Sequence, residues 1–123
     1  KSLQAAGIRV SFVMECHNEL IEWAAKTGTN RVELYTESYA DLFPKNPEAA
    51  VAPFAAAGQC AAKLDLGLNA GHDLSLENLQ YFCKHVPQLL EVSIGHALIS
   101  DALYLGLENT IQMYLRKIEM AQL

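Results

Sequence analysis

The sequence has 123 residues, enough for one domain with a core of its own and too few for two. It is 51% hydrophobic and 19% charged with a net charge of -5, and its basic residues are scattered, which excludes a nucleic-acid surface built on clustered Lys and Arg. No run approaches the roughly eighteen apolar residues of a membrane span, and the opening Lys1-Ser2-Leu3-Gln4-Ala5-Ala6-Gly7 lacks the pattern of a signal peptide, so a cytoplasmic protein is expected.

In chain order the sequence reads as strand-then-helix units. Leu3, Ala5 and Ala6 lead to Gly7 like the tail of a helix with a glycine C-cap and no N-terminal cap before it, which implies a preceding segment. Residues 8–14 form a short apolar strand. A helix over 18–26 places Leu20, Ile21, Ala24 and Ala25 on one face, with Gly28 as its C-cap. Residues 31–36 are the second strand, followed by a loop with Pro44. Asn46-Pro47 resembles an N-cap with proline at the first helical position, and the alanine-rich helix it opens runs to about Leu64. Pro53 predicts a kink or a fresh helix start.

The third strand is 66–70, and Ser75 is the expected N-cap of a helix through about Lys84, ended near Pro87. The fourth strand is 90–94. After it come a short helix from about Ala97, a break at Gly106, and an amphipathic helix carrying Leu107, Ile111, Leu115 and Ile118. Tyr114 and Met120 on that last helix are candidate assembly contacts or ordinary core.

Strands alternating with helices imply an α/β fold with a parallel sheet. An open four-stranded sheet is one solution. The opening helix tail and the short extra helix after the last strand favour part of a TIM (β/α)₈ barrel. Either arrangement puts ligands at the C-terminal ends of the strands.

Two strand ends look alike, Asn69-Ala70-Gly71-His72 and Ser93-Ile94-Gly95-His96. Glycine lets the backbone come close to a ligand, and a helix starting after Gly95-His96 offers free amides and partial positive charge to a phosphate. The competing reading is a pair of ordinary turns. Histidine as a residue type can exchange protons near neutral pH, so His72 is a candidate proton donor or acceptor. Glu33 sits mid-strand, and alternation sends it to the face opposite Val32 and Leu34, the interior of a barrel. A carboxylate there is costly unless paired or ligand-bound, so Glu33 is either functional or bridged to Arg9 or Arg31. Glu15 and Glu37 are weaker candidates, and His17 and His85 read as structural. No spacing supports a metal site. Cys60 and Cys83 read as small buried hydrophobes on helices, Cys16 as nearer solvent, and the three form neither a C-x-x-C motif nor a disulfide framework.

The blocks Ala6-Gly7-Ile8-Arg9-Val10-Ser11, Val32-Glu33-Leu34-Tyr35-Thr36, Leu68-Asn69-Ala70-Gly71-His72 and Ile94-Gly95-His96-Ala97-Leu98-Ile99 resemble consecutive motifs of the pyridoxine 5'-phosphate synthase family. The resemblance extends over essentially the whole chain. It implies the last four βα units of a (β/α)₈ barrel, so that residues 1–123 form the C-terminal half of a single barrel domain and the N-terminal half is absent. It implies a ring-closing transferase that condenses 1-deoxy-D-xylulose 5-phosphate with 3-amino-2-oxopropyl phosphate, releasing phosphate and water. It further implies a homo-octamer and no cofactor.

On that resemblance His72 is the proton donor, Glu33 stabilises charged intermediates, and Gly95 and His96 hold a substrate phosphate. Asp73 stands where the family has a substrate-contacting glycine, so its backbone N–H rather than its carboxylate is the expected contact. Glu37 likewise replaces a glycine, and Tyr35 a common histidine. The family's remaining site residues belong to its N-terminal half, including the carboxylate general base, so these residues alone are expected to be inactive. A non-catalytic phosphate-binding module and a structural half-barrel are the alternative readings.

Overall fold

The computed structural model describes residues 1–122. The first helix, α1 (Ser2–Ala5), closes as the sequence predicts. Gly7 adopts φ +76°, its N–H bonds to Gln4 O, and the Ile8 N–H bonds to Leu3 O, the paired bonds of a glycine-terminated helix. Strand β1 (Ser11–Met14) is shorter than the run at 8–14. Its partner strand begins only opposite Ser11, and the Val10 carbonyl is taken by the amides of Asn30 and Arg31.

Helix α2 (Asn18–Thr27) buries Ile21 and Ala24 and ends at Gly28 in the left-handed region, whereas Leu20 lies exposed rather than on the buried face. Strand β2 (Arg31–Tyr35) alternates as its sequence requires, Val32 and Leu34 fully buried and the residues between them half-buried. Helix α3 (Glu37–Leu42) then occupies the stretch expected to be loop. It is anchored by Tyr39, whose ring centroid lies 4.9 Å from that of Phe82 and 5.8 Å from that of Phe54, and whose hydroxyl donates to Asn78 O at 2.8 Å.

Helix α4 (Pro47–Lys63) starts as predicted, with Asn46 Oδ1 accepting the Ala49 N–H. Pro53 starts no new helix. It removes the donor to the Ala49 carbonyl, but Pro53 lies on the exposed side of α4, where water can take up the freed oxygen. Ala50, Val51, Phe54, Ala57, Gly58 and Ala61 form the buried stripe. A Cβ at Gly58 would lie 2.6 Å from the Pro87 carbonyl oxygen, so only glycine permits that approach.

Strand β3 (Gly67–Gly71) leads through a turn to α5 (Leu79–His85). The N-cap of α5 is Asn78 rather than Ser75. Ser75 opens the turn before the helix instead: its carbonyl accepts from the amides of Asn78 and Leu79, and its amide bonds to Asn78 Oδ1. Strand β4 (Leu89–Ser93) follows, then α6 (His96–Leu105), longer than the short helix expected, and α7 (Leu107–Ala121).

The four strands pair in parallel in the order β1-β2-β3-β4, each beside its chain neighbour. That order has no reversal point of the doubly wound kind. Helices cover one face, where Val32 pairs in register with Leu68 and Leu34 with Ala70, all fully buried with Ile21, Phe54, Leu79 and Phe82. Each such large side chain contributes roughly 1.5–3 kcal/mol. The other face carries Val13, Arg31, Glu33, Asn69, Glu91 and Ser93 and has no covering layer among the described residues.

Beside the unpaired edge of β4 runs a groove of about 800 Å³, lined by Leu89, Val92, Ile94, Leu98, Ile111, Leu115 and Ile118 among others. The apolar stripe predicted on the last helix therefore faces this groove or solvent, with Leu107, Ile111 and Leu115 exposed. Tyr114 is core: it is buried, and its hydroxyl donates to Asp101 Oδ2 at 2.8 Å, tying α7 to α6. Met120 stays exposed. No helix among the described residues is long and apolar enough to cross a membrane.

Candidate active site

The C-terminal edge of the sheet gathers the residues singled out from the sequence. Glu33 points from β2 to the uncovered face, as alternation predicts, with its side chain 14% exposed. It bridges neither of the two arginines. Arg9 and Arg31, the candidate bridging partners, both turn to Glu91 instead, Arg9 through two bonds at 2.8 and 3.0 Å and Arg31 through one contact at 2.8 Å. Asn69 completes that cluster, donating to Glu91 Oε2 and accepting from Arg31. The hydrogen bonds from Arg9, reinforced by the charges of both arginines, hold the Glu91 carboxyl below the ordinary carboxylate range against a smaller opposing effect of burial.

Gly67 makes room for this arrangement, because a Cβ there would lie 2.8 Å from Arg31 Cγ. Sequence reading did not find the cluster. Its signal was the spacing that puts Arg31, Asn69 and Glu91 on one face of three adjacent strands, legible only once the register is known.

Glu33, in register with Asn69, contacts residues toward the C-terminal ends of the neighbouring strands instead. Its Oε1 lies 3.6 Å from His72 Nδ1, and the Ser93 hydroxyl donates to its Oε2 at 3.5 Å. The His72 side chain is 57% exposed, with Glu33 beside one ring nitrogen. Tyr35 flanks it, with ring centroids 6.4 Å apart. The charge of Glu37, the first residue of α3, is the largest influence raising the Tyr35 phenol above its ordinary pKa.

The backbone that carries His72 is tightly specified. His72 adopts φ +71°, a left-handed conformation uncommon for a side chain of its size. Its N–H bonds to Ser93 O at 2.8 Å. A Cβ at Gly71 would overlap the Ser93 carbonyl and lie 2.9 Å from Ser93 Cβ, so β3 and β4 can meet here only through glycine. The Thr36 hydroxyl, fully buried, donates to the Gly71 carbonyl and accepts the Asp73 N–H at 3.2 Å. The amide of Asp73, expected to be available to a phosphate, is therefore already engaged, both there and with Gly71 O.

The second pair, Gly95-His96, lies at the same edge one strand over. Both residues are exposed, and Gly95 is the N-cap of α6. The first backbone bond of that helix runs from Ile99 N–H to Gly95 O, so the amides of His96, Ala97 and Leu98 have no partner within the helix. No acidic side chain occupies the first turn of α6. The geometry suits an anion: free N–H groups, the positive end of the helix and an exposed imidazole beside them.

The remaining candidates take other roles. His17 is the N-cap of α2, and the His85 Nδ1–H donates to Tyr81 O at 2.8 Å while the ring stacks on that of Tyr81. Cys16, Cys60 and Cys83 are all half-buried, so Cys60 and Cys83 are not the fully buried residues expected. Burial pushes the Cys83 thiol up to about 11. Among the described residues no group of His, Cys, Asp and Glu is placed to hold a metal ion.

The sequence model of the family described as pyridoxal phosphate biosynthesis protein PdxJ matches residues 1–120. A protein of Bacteroides thetaiotaomicron named pyridoxine 5'-phosphate synthase is 66% identical over 110 residues, covering 89% of this chain and 46% of that protein. Proteins of the same name from Cytophaga hutchinsonii and Flavobacterium johnsoniae are 56% and 51% identical, each covering at least 96% of this chain and 50% of its relative. The chain spans about half the length of the curated relatives it matches.

Proposed function

The chain belongs to the PdxJ family, and from that premise we propose that it carries the proton-donating and phosphate-holding part of a pyridoxine 5'-phosphate synthase site. The four strands are then the last four βα units of a (β/α)₈ barrel. Their chain-order parallel pairing and the relatives' doubled length support this. The groove beside β4 and the uncovered sheet face are where the other half of such a barrel closes. The reaction is condensation of 1-deoxy-D-xylulose 5-phosphate with 3-amino-2-oxopropyl phosphate, with release of phosphate and water. By family resemblance the enzyme is a cytoplasmic homo-oligomer that uses no cofactor.

The observation that carries the reading is the His72–Glu33 arrangement at the end of β3. Ring closure requires hydroxyl groups to leave as water, and each needs a proton. His72 supplies it: Nδ1 faces Glu33, and the open side of the ring faces the substrate. Glu33 orients the ring and balances positive charge on it and on the nitrogen-containing intermediate. Gly95, His96 and the free amides of α6 hold a substrate phosphate. Asp73 lines the mouth but gives its amide to Thr36, so its part is to shape the loop beside the phosphate. The base that removes protons belongs to the half of the site these residues do not include, and without it they do not turn over substrate.

The test supplies both substrates to the longest natural polypeptide carrying these residues and measures pyridoxine 5'-phosphate. Product from the natural protein, lost in His72→Ala, is expected. Equal turnover by the two removes His72 from the reaction. Phosphate binding without any product would favour a non-catalytic phosphate-binding module.

A further inference from the structure

We propose that Thr36 is the positioning residue of His72, its hydroxyl fixing the backbone on both sides of the histidine so that the imidazole stays at the mouth of the site. This rests on the reading of His72 as proton donor.

Thr36 follows β2 and occupies the N-cap position of α3, where a threonine ordinarily bonds to its own helix. It makes no such bond. Its hydroxyl instead crosses to the neighbouring strand end, donating to the carbonyl of Gly71 and accepting the amide of Asp73. These groups belong to the residues immediately before and after His72. The side chain is fully buried, so no water can replace the bonds if the hydroxyl is removed.

What the clamp holds is a conformation that does not hold itself. His72 has φ +71°, and a non-glycine residue keeps such a backbone only where its surroundings impose it. The Ser93 carbonyl supplies one restraint, through the His72 amide. Thr36 supplies the two that flank it. Relaxation of residue 72 toward ordinary φ would swing the ring away from Glu33, now 3.6 Å from it. Misplacement of a catalytic group by about 1 Å can cost on the order of 100-fold in rate.

The experiment compares Thr36→Val, which keeps the shape and loses the hydroxyl, with Thr36→Ser, which keeps the hydroxyl. Both are made in the longest natural polypeptide carrying these residues. Steady-state turnover is measured alongside the NMR signal of the His72 ring. Thr36→Val is expected to lower kcat about 10- to 100-fold with KM within about threefold, and to shift or broaden the ring signal. Thr36→Ser is expected to recover kcat to within about threefold of the natural protein with the ring signal restored.

Natural kcat and an unmoved ring signal in Thr36→Val would overturn the proposal, as would equal losses in both variants, which would point to packing of the methyl group. If Thr36→Val fails to fold, Thr36→Cys, a weaker hydrogen-bonding group, replaces it and faces the same two readouts. Equal turnover by the natural protein and His72→Ala would remove the catalytic reading alone, and the ring signal would still decide the clamp.

Discussion

The two glycine–histidine pairs are alike in sequence and opposite in constraint. At the end of β3, Gly71 is buried against the Ser93 backbone, His72 is forced to positive φ, and Thr36 bonds the residues on either side. At the end of β4, Gly95 is exposed, and a Cβ there would meet nothing within 4 Å. The first glycine is required by the packing of the chain itself. The second has no steric reason among the described residues. One end fixes a side chain; the other leaves the helix N-terminus exposed.

Four changes break or sharpen this contrast. On the proposed reaction, His72→Ala in the longest natural polypeptide carrying these residues is expected to reduce pyridoxine 5'-phosphate formation by roughly 10²- to 10⁴-fold, the range for a lost general acid, measured as kcat under saturating substrates. Gly71→Ala should destabilise the fold by about 1–3 kcal/mol or more, because the added methyl collides with backbone that cannot turn aside; a denaturant midpoint that does not move would show that the strand ends are looser than described.

Gly95→Ala is the counterpart. Its stability should change by less than about 0.5 kcal/mol, while phosphate affinity, read by calorimetry, falls several-fold. A stability loss as large as that of Gly71→Ala would erase the distinction.

The smallest effect concerns Glu91, midway along β4 on the same face of the sheet. Glu91 is held in its charged form by Arg9 and Arg31, so its folded-state pKa lies below its unfolded one. The stability it adds is present above the ordinary carboxylate range and is lost as pH falls through that range. Arg9 and Glu91 are well exposed, so the contribution is small. Glu91→Gln should flatten the acid limb of a stability-versus-pH curve slightly, and an unchanged slope would show that the pair adds nothing.

Elements whose signals are local were legible in the sequence. Asn46-Pro47, Gly7 and Gly28 act through capping chemistry that needs no distant partner, and each is found in the role predicted. The outward turn of Glu33 followed from alternation alone. Helix α3 was missed because its stability comes from one residue, Tyr39, inserted between Phe54 and Phe82, which are distant in sequence. Ser75 and Asn78 are both good capping residues, and the packing of the turn rather than propensity selects Asn78. The Thr36 clamp and the Arg9–Arg31–Glu91 cluster depend on register across strands, which no single strand encodes.

The central claim is that Glu33 and His72 act as one unit at the end of β3, and a double-mutant cycle on turnover tests it most directly. Glu33→Gln should lower kcat about 10- to 100-fold in the natural background yet by no more than about threefold once His72 is already alanine. Equal losses from Glu33→Gln in both backgrounds would contradict the account, since the two side chains would then be working independently.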